Sequence, residues 1–336
     1  MSKRFNILSL SGGGYLGLYT IAVLSQLEQE LGRPIASSFD LIAGTSIGGI
    51  IALGLAHEVK AKDIEEAFLR DGSRIFSDRP VQTGRLAQFI DILRYIGKPK
   101  YDPSQLRATI TGLVGEETKI GDLRHRVLVP TVNLTKGAPQ VFKTPHHETF
   151  TRDQWLKVTD IAMATSAAPT YFPIAEVENS LYADGGLFAN SPDWLAVHEA
   201  EHFLGVEPRD IHVMSIGTTT SSFSFADATG RALGIYGWAK DQRLVSVILA
   251  SQQKVSHYML GHRFGSRYLR LDKEQSPDQT LHLALDVATK SAQRTITGLA
   301  TGTVRDHINT PALRGFFEHR APRPDFPGKN SSLLNT

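Results

Sequence analysis

Ser46 stands in Gly44-Thr45-Ser46-Ile47-Gly48, a G-x-S-x-G spacing that follows the mainly apolar residues 39–43 and precedes the small, apolar run 47–56. A serine on a sharp strand-to-helix turn projects its hydroxyl beyond the sheet edge, and the helix N-terminus behind it favours developing negative charge. The hydroxyl still needs a base. Asp184, followed by Gly185 and Gly186 at the end of the stretch 180–183, places a carboxylate at a tight turn; a positioned general base contributes about 10² to 10⁴ in rate. An acyl-transfer serine also needs donors for its oxyanion, each worth roughly 10² to 10³. Residues 11–17, Ser-Gly-Gly-Gly-Tyr-Leu-Gly, can aim the bare N–H groups of Gly12, Gly13 and Gly14 at one point, and the N–H of Ile47 is a further donor. With no cysteine in the chain, a thiol nucleophile, thiolate metal ligation and disulfides are excluded.

The elements that must position these groups alternate. Residues 5–10 read as a buried strand, 15–31 as a helix closed by Gly32, 39–43 as a second strand and 47–56 as a second helix. Repetition of strand, glycine turn and helix predicts an α/β fold, three layers with a mainly parallel central sheet, and puts both glycine turns on one sheet edge. Residues 61–113 look mainly helical, broken at SDRP and GKPKYDP. Further strands are expected over 126–134, around 141–143, and over 174–183 and 211–217, with a helix over 153–166. Long helices are expected over 232–259 and 280–307, the second with Leu281, Leu285, Ala288, Ala292 and Leu299 along one face. A single domain over 1–320 is expected, its motif-bearing core at 5–217 and a helical part at 230–310, with 321–336 a proline-rich, disordered tail.

At 336 residues and 41% hydrophobic, the chain can bury a full core. Its 36 basic and 34 acidic residues leave a formal charge of +2, no global footprint for a nucleic-acid polymer. No apolar run approaches the ~20 residues of a membrane span, and the opening apolar run is too short for a signal sequence. The expectation is a cytoplasmic protein.

Other readings of the same residues exist. Gly12, Gly14 and Gly17 spell G-x-G-x-x-G, the dinucleotide fingerprint, which expects an acid at the end of the second strand; that strand ends in Ala43-Gly44, and Asp40 lies at its start. A Ser-His-Asp hydrolase would draw on His198, His202, His257 or His262, although its elbow normally follows several strands and Ser46 follows two. A non-enzymatic nucleotide-binding module would leave Ser46 and Asp184 idle. His146-His147-Glu148 suggests a metal, but neighbouring residues of an extended chain point to opposite sides and no further ligand follows at a recognisable spacing. No metal or cofactor is expected.

S-G-G-G-x-x-G, G-T-S-I-G-G and D-G-G, in that order, resemble the patatin-like phospholipase family, as do the segment ATSAAPTYFP at 164–173 and Asn190-Ser191-Pro192. The resemblance spans about residues 5–217. It implies a Ser46/Asp184 dyad that hydrolyses lipid acyl esters without histidine, with Gly12, Gly13 and Gly14 as oxyanion glycines and Gly17, Gly44, Gly48, Gly185, Gly186 and Asn190 supporting the turns. The family often carries Arg or Lys where this chain has Leu16, which bears on head-group preference. A groove for the acyl chain would draw on Tyr15, Leu16, Tyr171 and Phe172. No EF-hand calcium loop and no strongly amphipathic basic helix is evident, so contact with a membrane phospholipid substrate is expected to be transient. The wording SLSGGGYLGLYT and the chain length are also similar to bacterial patatin-like effectors of antiphage defence (CBASS), which implies activation by a cyclic oligonucleotide. Arg231, Arg243, Lys254, Arg263 and Arg267, interleaved with aromatics, are the candidate nucleotide contacts, and a homo-oligomer is a further expectation.

Overall fold

The computed structural model describes residues 4–79, 98–219, 234, 238 and 243–326. In chain order its elements are β1 (Phe5–Leu10), α1 (Gly17–Leu31), β2 (Leu41–Gly44), α2 (Ile47–Ala56), α3 (Ala61–Ile75), α4 (Ser104–Val114), β3 (Val127–Asn133), β4 (Ala138–Lys143), α5 (Val158–Thr165), β5 (Ala175–Val177) and β6 (Ser180–Asp184). There follow α6 (Gly186–Ala189), α7 (Asp193–His198), β7 (Ile211–Ile216), α8 (Arg243–Phe264), β8 (Tyr268–Leu271), α9 (Lys290–His307) and α10 (Pro311–Glu318).

The strands form one mixed sheet in the order β5-β6-β3-β2-β1-β7-β8, with β4 paired to β3. The run from β3 to β8 is parallel, and β4, β5 and β6 are antiparallel additions at one side. Side chains alternate across the sheet. Leu8, Leu10, Ile42, Val127, Val129, Met214 and Ile216 enter the core beneath α1–α5 and α9, while Ile7, Leu41, Ala43, Leu128, Ile211 and Val213 pack against α7 and α8. With both faces covered, the strands read as continuous apolar runs, as buried parallel strands do. The three-layer α/β reading holds.

The pairing of β3 explains how the site is assembled. Leu128 pairs with both Ala43 of β2 and Lys143 of β4, so those strands lie on opposite edges of β3. Residues 131–133 pair with both β4 and β6, which likewise must lie on opposite edges. β2 and β6 therefore share one edge of β3. Where β2 leaves that edge after Gly44 to turn at Ser46, β6 takes it over and ends at Asp184, opposite Thr131.

Three expectations are corrected. The long helix begins at Lys290, with the Thr289 hydroxyl accepting the Ala292 N–H as its N-cap; Leu281, Leu285 and Ala288 lie ahead of it. The region 153–166 is a single 3₁₀ turn (Asp153–Trp155) followed by α5. Residues 321–326, expected to be disordered, dock instead: the Ala321 N–H donates to Ser37 O, Arg323 pairs with Glu58, and Phe326 is buried. The remainder of that tail lies outside the described residues.

Candidate active site

Ser46 adopts φ 55°, ψ −126°, a backbone region that costs a non-glycine residue on the order of 1–3 kcal/mol. Several bonds hold it there. The Ser46 N–H donates to Thr165 Oγ1 at 3.0 Å, Thr165 Oγ1 donates to Pro130 O at 2.7 Å, and Ser46 O accepts the N–H groups of Gly49 and Ile50. The turn closes only with glycine nearby: a Cβ at Gly48 would collide with the Leu10 carbonyl, and one at Gly44 with the Gly48 carbonyl. Gly17 is required by the packing of Ile47 against it.

The Ser46 hydroxyl hydrogen-bonds the Asp184 carboxylate, whose Oδ1 accepts the Gly186 N–H at 2.7 Å. Asp184 is buried, and desolvation pushes its pKa up to about 6 against the lowering effect of those two bonds. Gly185 sits too close to Pro130 O to carry a side chain, which keeps the end of β6 tight against β3.

Asn190 ties the first glycine turn to this carboxylate turn. Its carbonyl accepts the Gly12 N–H at 2.9 Å, and its Nδ2 donates to Gly12 O at 3.3 Å. The Gly12 N–H is thereby committed, so the expected trio of oxyanion donors narrows. Gly13 and Gly14 (φ +54°) have N–H groups without an acceptor among the described residues, as does Ile47 at the start of α2, and all three residues line one cavity with Ser46 and Asp184. The rest of that cavity is apolar, with Ile50, Phe76, Leu106, Tyr171, Phe172 and Leu249 among its walls. Tyr171 and Phe172 thus stand where the acyl groove was expected. Tyr15 and Leu16 do not; both are buried in the core beneath α1, where Tyr15 OH accepts a hydrogen bond from Gln293. Leu16 brings no cation, and no Lys, Arg or His is among the described residues of the wall.

A residue that sequence reasoning missed closes the arrangement. Gln252 of α8 accepts the Asn190 N–H at 3.0 Å through Oε1 and donates from Nε2 to Leu187 O at 3.1 Å, gripping the short helix α6 that follows Asp184. A glutamine on a long helix carries no local signal of such a role. Behind it, Ser256 and Tyr268 hydrogen-bond the buried Asp193, and Arg270 spans Ser11 and Ser215 at the ends of β1 and β7.

The other candidates are placed elsewhere. His198 and His202 stack on each other, His262 donates to Tyr258 O, and burial beside Arg270 depresses the pKa of His257 to about 4. His146 meets Glu199 at 2.9 Å and Thr144 at 2.8 Å, inside an ion pair that Lys143 completes. Asp40 accepts the Asn6 N–H and pairs with His319, leaving the dinucleotide reading without its acid. Of the expected nucleotide contacts, Arg231 and the Arg243 side chain lie outside the described residues. Lys254 is exposed on α8, Arg263 pairs with Glu201, and Arg267 is spent on the Ile211 carbonyl. Lys254 and Arg263, nine residues apart on one helix, stand about 13 Å apart along its axis and do not converge.

A strained serine after a central strand, a carboxylate on its hydroxyl and a glycine turn facing both define a hydrolase of the patatin type, and the chain belongs to the patatin-like phospholipase family, whose model matches residues 8–197. Three relatives that match most of the chain are named cGAMP-activated phospholipases. The chain is 39% identical to a cGAMP-activated phospholipase of Pseudomonas aeruginosa (strain BWHPSA011 / Pa011), covering 97% of this chain and 96% of the relative. It is 35% identical to a cGAMP-activated phospholipase of Vibrio cholerae serotype O1, covering 95% and 96%, and 36% identical to one of Escherichia coli (strain TW11681), covering 86% and 85%.

Proposed function

We propose that this protein is a lipid acyl hydrolase of the phospholipase A type, with Ser46 as nucleophile, Asp184 as general base and the N–H groups of Gly13, Gly14 and Ile47 as the oxyanion hole. The observation that carries the reading is the hydrogen bond from the Ser46 hydroxyl to a buried carboxylate at the floor of an apolar cavity. Ser46 Oγ attacks the acyl carbonyl carbon while its proton passes to Asp184, and the carbonyl oxygen becomes an anion facing the free backbone donors. Collapse of the tetrahedral intermediate expels the lysolipid alkoxide, which takes the proton from Asp184. Water then attacks the acyl-enzyme with Asp184 again as base, releasing the fatty acid and restoring Ser46. A pKa near 6 suits this cycle, because the carboxylate is ionised at neutral pH yet basic enough to accept the proton.

Activation by cGAMP enters on the names of three relatives that match along most of their own length, and the membrane phospholipid is the substrate that an apolar cavity beside an acyl-transfer serine fits. No helix among the described residues is long and apolar enough to cross a membrane. The test is release of fatty acid from phospholipid vesicles by the wild type, Ser46→Ala and Asp184→Asn, each with and without cGAMP. The expected result is wild-type activity raised by cGAMP and losses of about 10² or more in both variants. Retained activity in Asp184→Asn would move the base elsewhere and sink the dyad; activity indifferent to cGAMP would remove the regulatory half alone.

A further inference from the structure

Helix α8 carries two apolar stripes, of which one is buried. Leu249, Leu260 and Phe264 face inward, the first into the cavity and the other two into the core. Leu244, Val255 and Met259 face outward, with relative exposures of 51%, 56% and 48%, and Tyr258 beside them is 69% exposed. Steps of eleven and four residues hold those three outward side chains within about 60° of one another around the helix. An apolar stripe left in water on a helix already anchored by its other face is unusual for a globular chain and marks an interaction surface.

Two observations say what covers it. The stripe borders the cavity mouth: Gln252, on the flank of α8 between the two stripes, holds Leu187 O, and Leu187 both lines the cavity and is 43% exposed. Moreover, the 22 residues of α8 include no Asp or Glu, while Lys254, His262 and Arg263 are exposed along it. We infer that the outward face of α8, continuous with Leu187, is the surface by which the protein lies on a bilayer bearing anionic headgroups. The Leu244, Val255 and Met259 side chains enter the acyl boundary, the exposed Lys254 ammonium meets the headgroups, and the cavity mouth faces the lipid it draws from. Such binding scales with apolar area plus attraction to anionic lipid. The inference deepens the phospholipase reading and rests on it.

Flotation with vesicles of phosphatidylcholine alone and of phosphatidylcholine mixed with phosphatidylglycerol tests it, using full-length Ser46→Ala protein with cGAMP so that the lipid survives. Binding is expected to favour the mixed vesicles and to fall about tenfold or more when Val255→Asp and Met259→Asp are added. On the active background the same pair is expected to cut vesicle hydrolysis by a like factor while hydrolysis of a short, soluble ester stays within about twofold. If the aspartates also slow the soluble ester, Val255→Ser with Met259→Ser replaces them and the same split is expected. Unchanged flotation overturns the inference. So does unchanged flotation accompanied by a smaller particle in light scattering, which would assign the face to a second copy of the chain. Residual vesicle hydrolysis by Ser46→Ala would sink the Ser46 reading instead, without altering the binding result.

Discussion

Replacing Asp184 by asparagine separates catalysis from stability in a way that only a base with a raised pKa can produce. With a pKa of about 6, the carboxylate is about nine-tenths ionised at pH 7 and about one-tenth ionised at pH 5, so the wild-type kcat/KM should fall about tenfold across that interval. An ordinary aspartate, titrating near 3.8, would leave the rate nearly flat there. The stability effect has the opposite sign. Because the folded-state pKa is raised, the protonated carboxyl is the form that folding favours; its contribution is complete below about pH 3.8 and is lost as pH rises through about 6. At about 1.4 kcal/mol per pKa unit, the ionised carboxylate costs on the order of 3 kcal/mol above pH 7, roughly half of which has accrued by pH 5. The amide that replaces it never ionises. The variant should therefore be inactive, yet its melting temperature should rise relative to wild type by about 2 °C between pH 5 and pH 8. Paired thermal melts and initial rates at matched pH values read both effects. A wild-type rate that is level from pH 5 to 8, or a variant that loses ground to wild type as pH rises, would refute the argument from burial.

Ser46→Gly should release the strain of φ 55°, ψ −126° and raise thermal stability by about 1 kcal/mol or more while reducing hydrolysis to background; a variant less stable than wild type in a chemical melt would show that the serine is not strained. Gln252→Ala removes both bonds to the turn after Asp184. It should lower kcat by about tenfold, through about 1.4 kcal/mol of lost positioning, and leave KM for a soluble ester nearly unchanged; an unaltered kcat would mean that α6 keeps its place without the clamp.

The serine turn was legible because everything that makes it is local. A short strand, a glycine pair around Ser46 and a helix of small residues lie within eighteen residues, and β1, β2, α1 and α2 form close to where periodicity puts them. Asp184 was legible as a turn residue, but its arrival beside Ser46 depends on β6 taking the edge of β3 that β2 abandons, a long-range pairing with no local signature. The three glycines looked equivalent in sequence. Only the tertiary bond to Asn190 O distinguishes Gly12, whose N–H is occupied, from Gly13 and Gly14. Tyr15 and Leu16 misled for a related reason: their position next to the glycines suggested the groove, whereas the first turn after Gly14 swings both into the core. The early start expected for the long helix ignored Thr289, whose capping hydroxyl was readable. α8 escaped notice as a membrane element because two apolar stripes on opposing flanks conceal each other in any search for a single one.

The central position of β1 also governs when the enzyme can exist. β1 pairs with β2 on one side and, along its whole length, with β7 on the other. The turn that follows β1 is fastened by Asn190, Thr218 and the Leu285 carbonyl, and Arg270 reaches the Ser11 hydroxyl from β8. At about 5–20 residues per second, a ribosome that has released β1 needs about 10 to 40 s to deliver β7, and longer to deliver Leu285. Throughout that interval the nascent chain carries the nucleophile and then the base without the frame that aligns the oxyanion donors. Synthesis order thus keeps the first glycine turn without its fastening until translation is nearly complete, because Thr218 and Leu285 emerge long after Ser46 and Asp184.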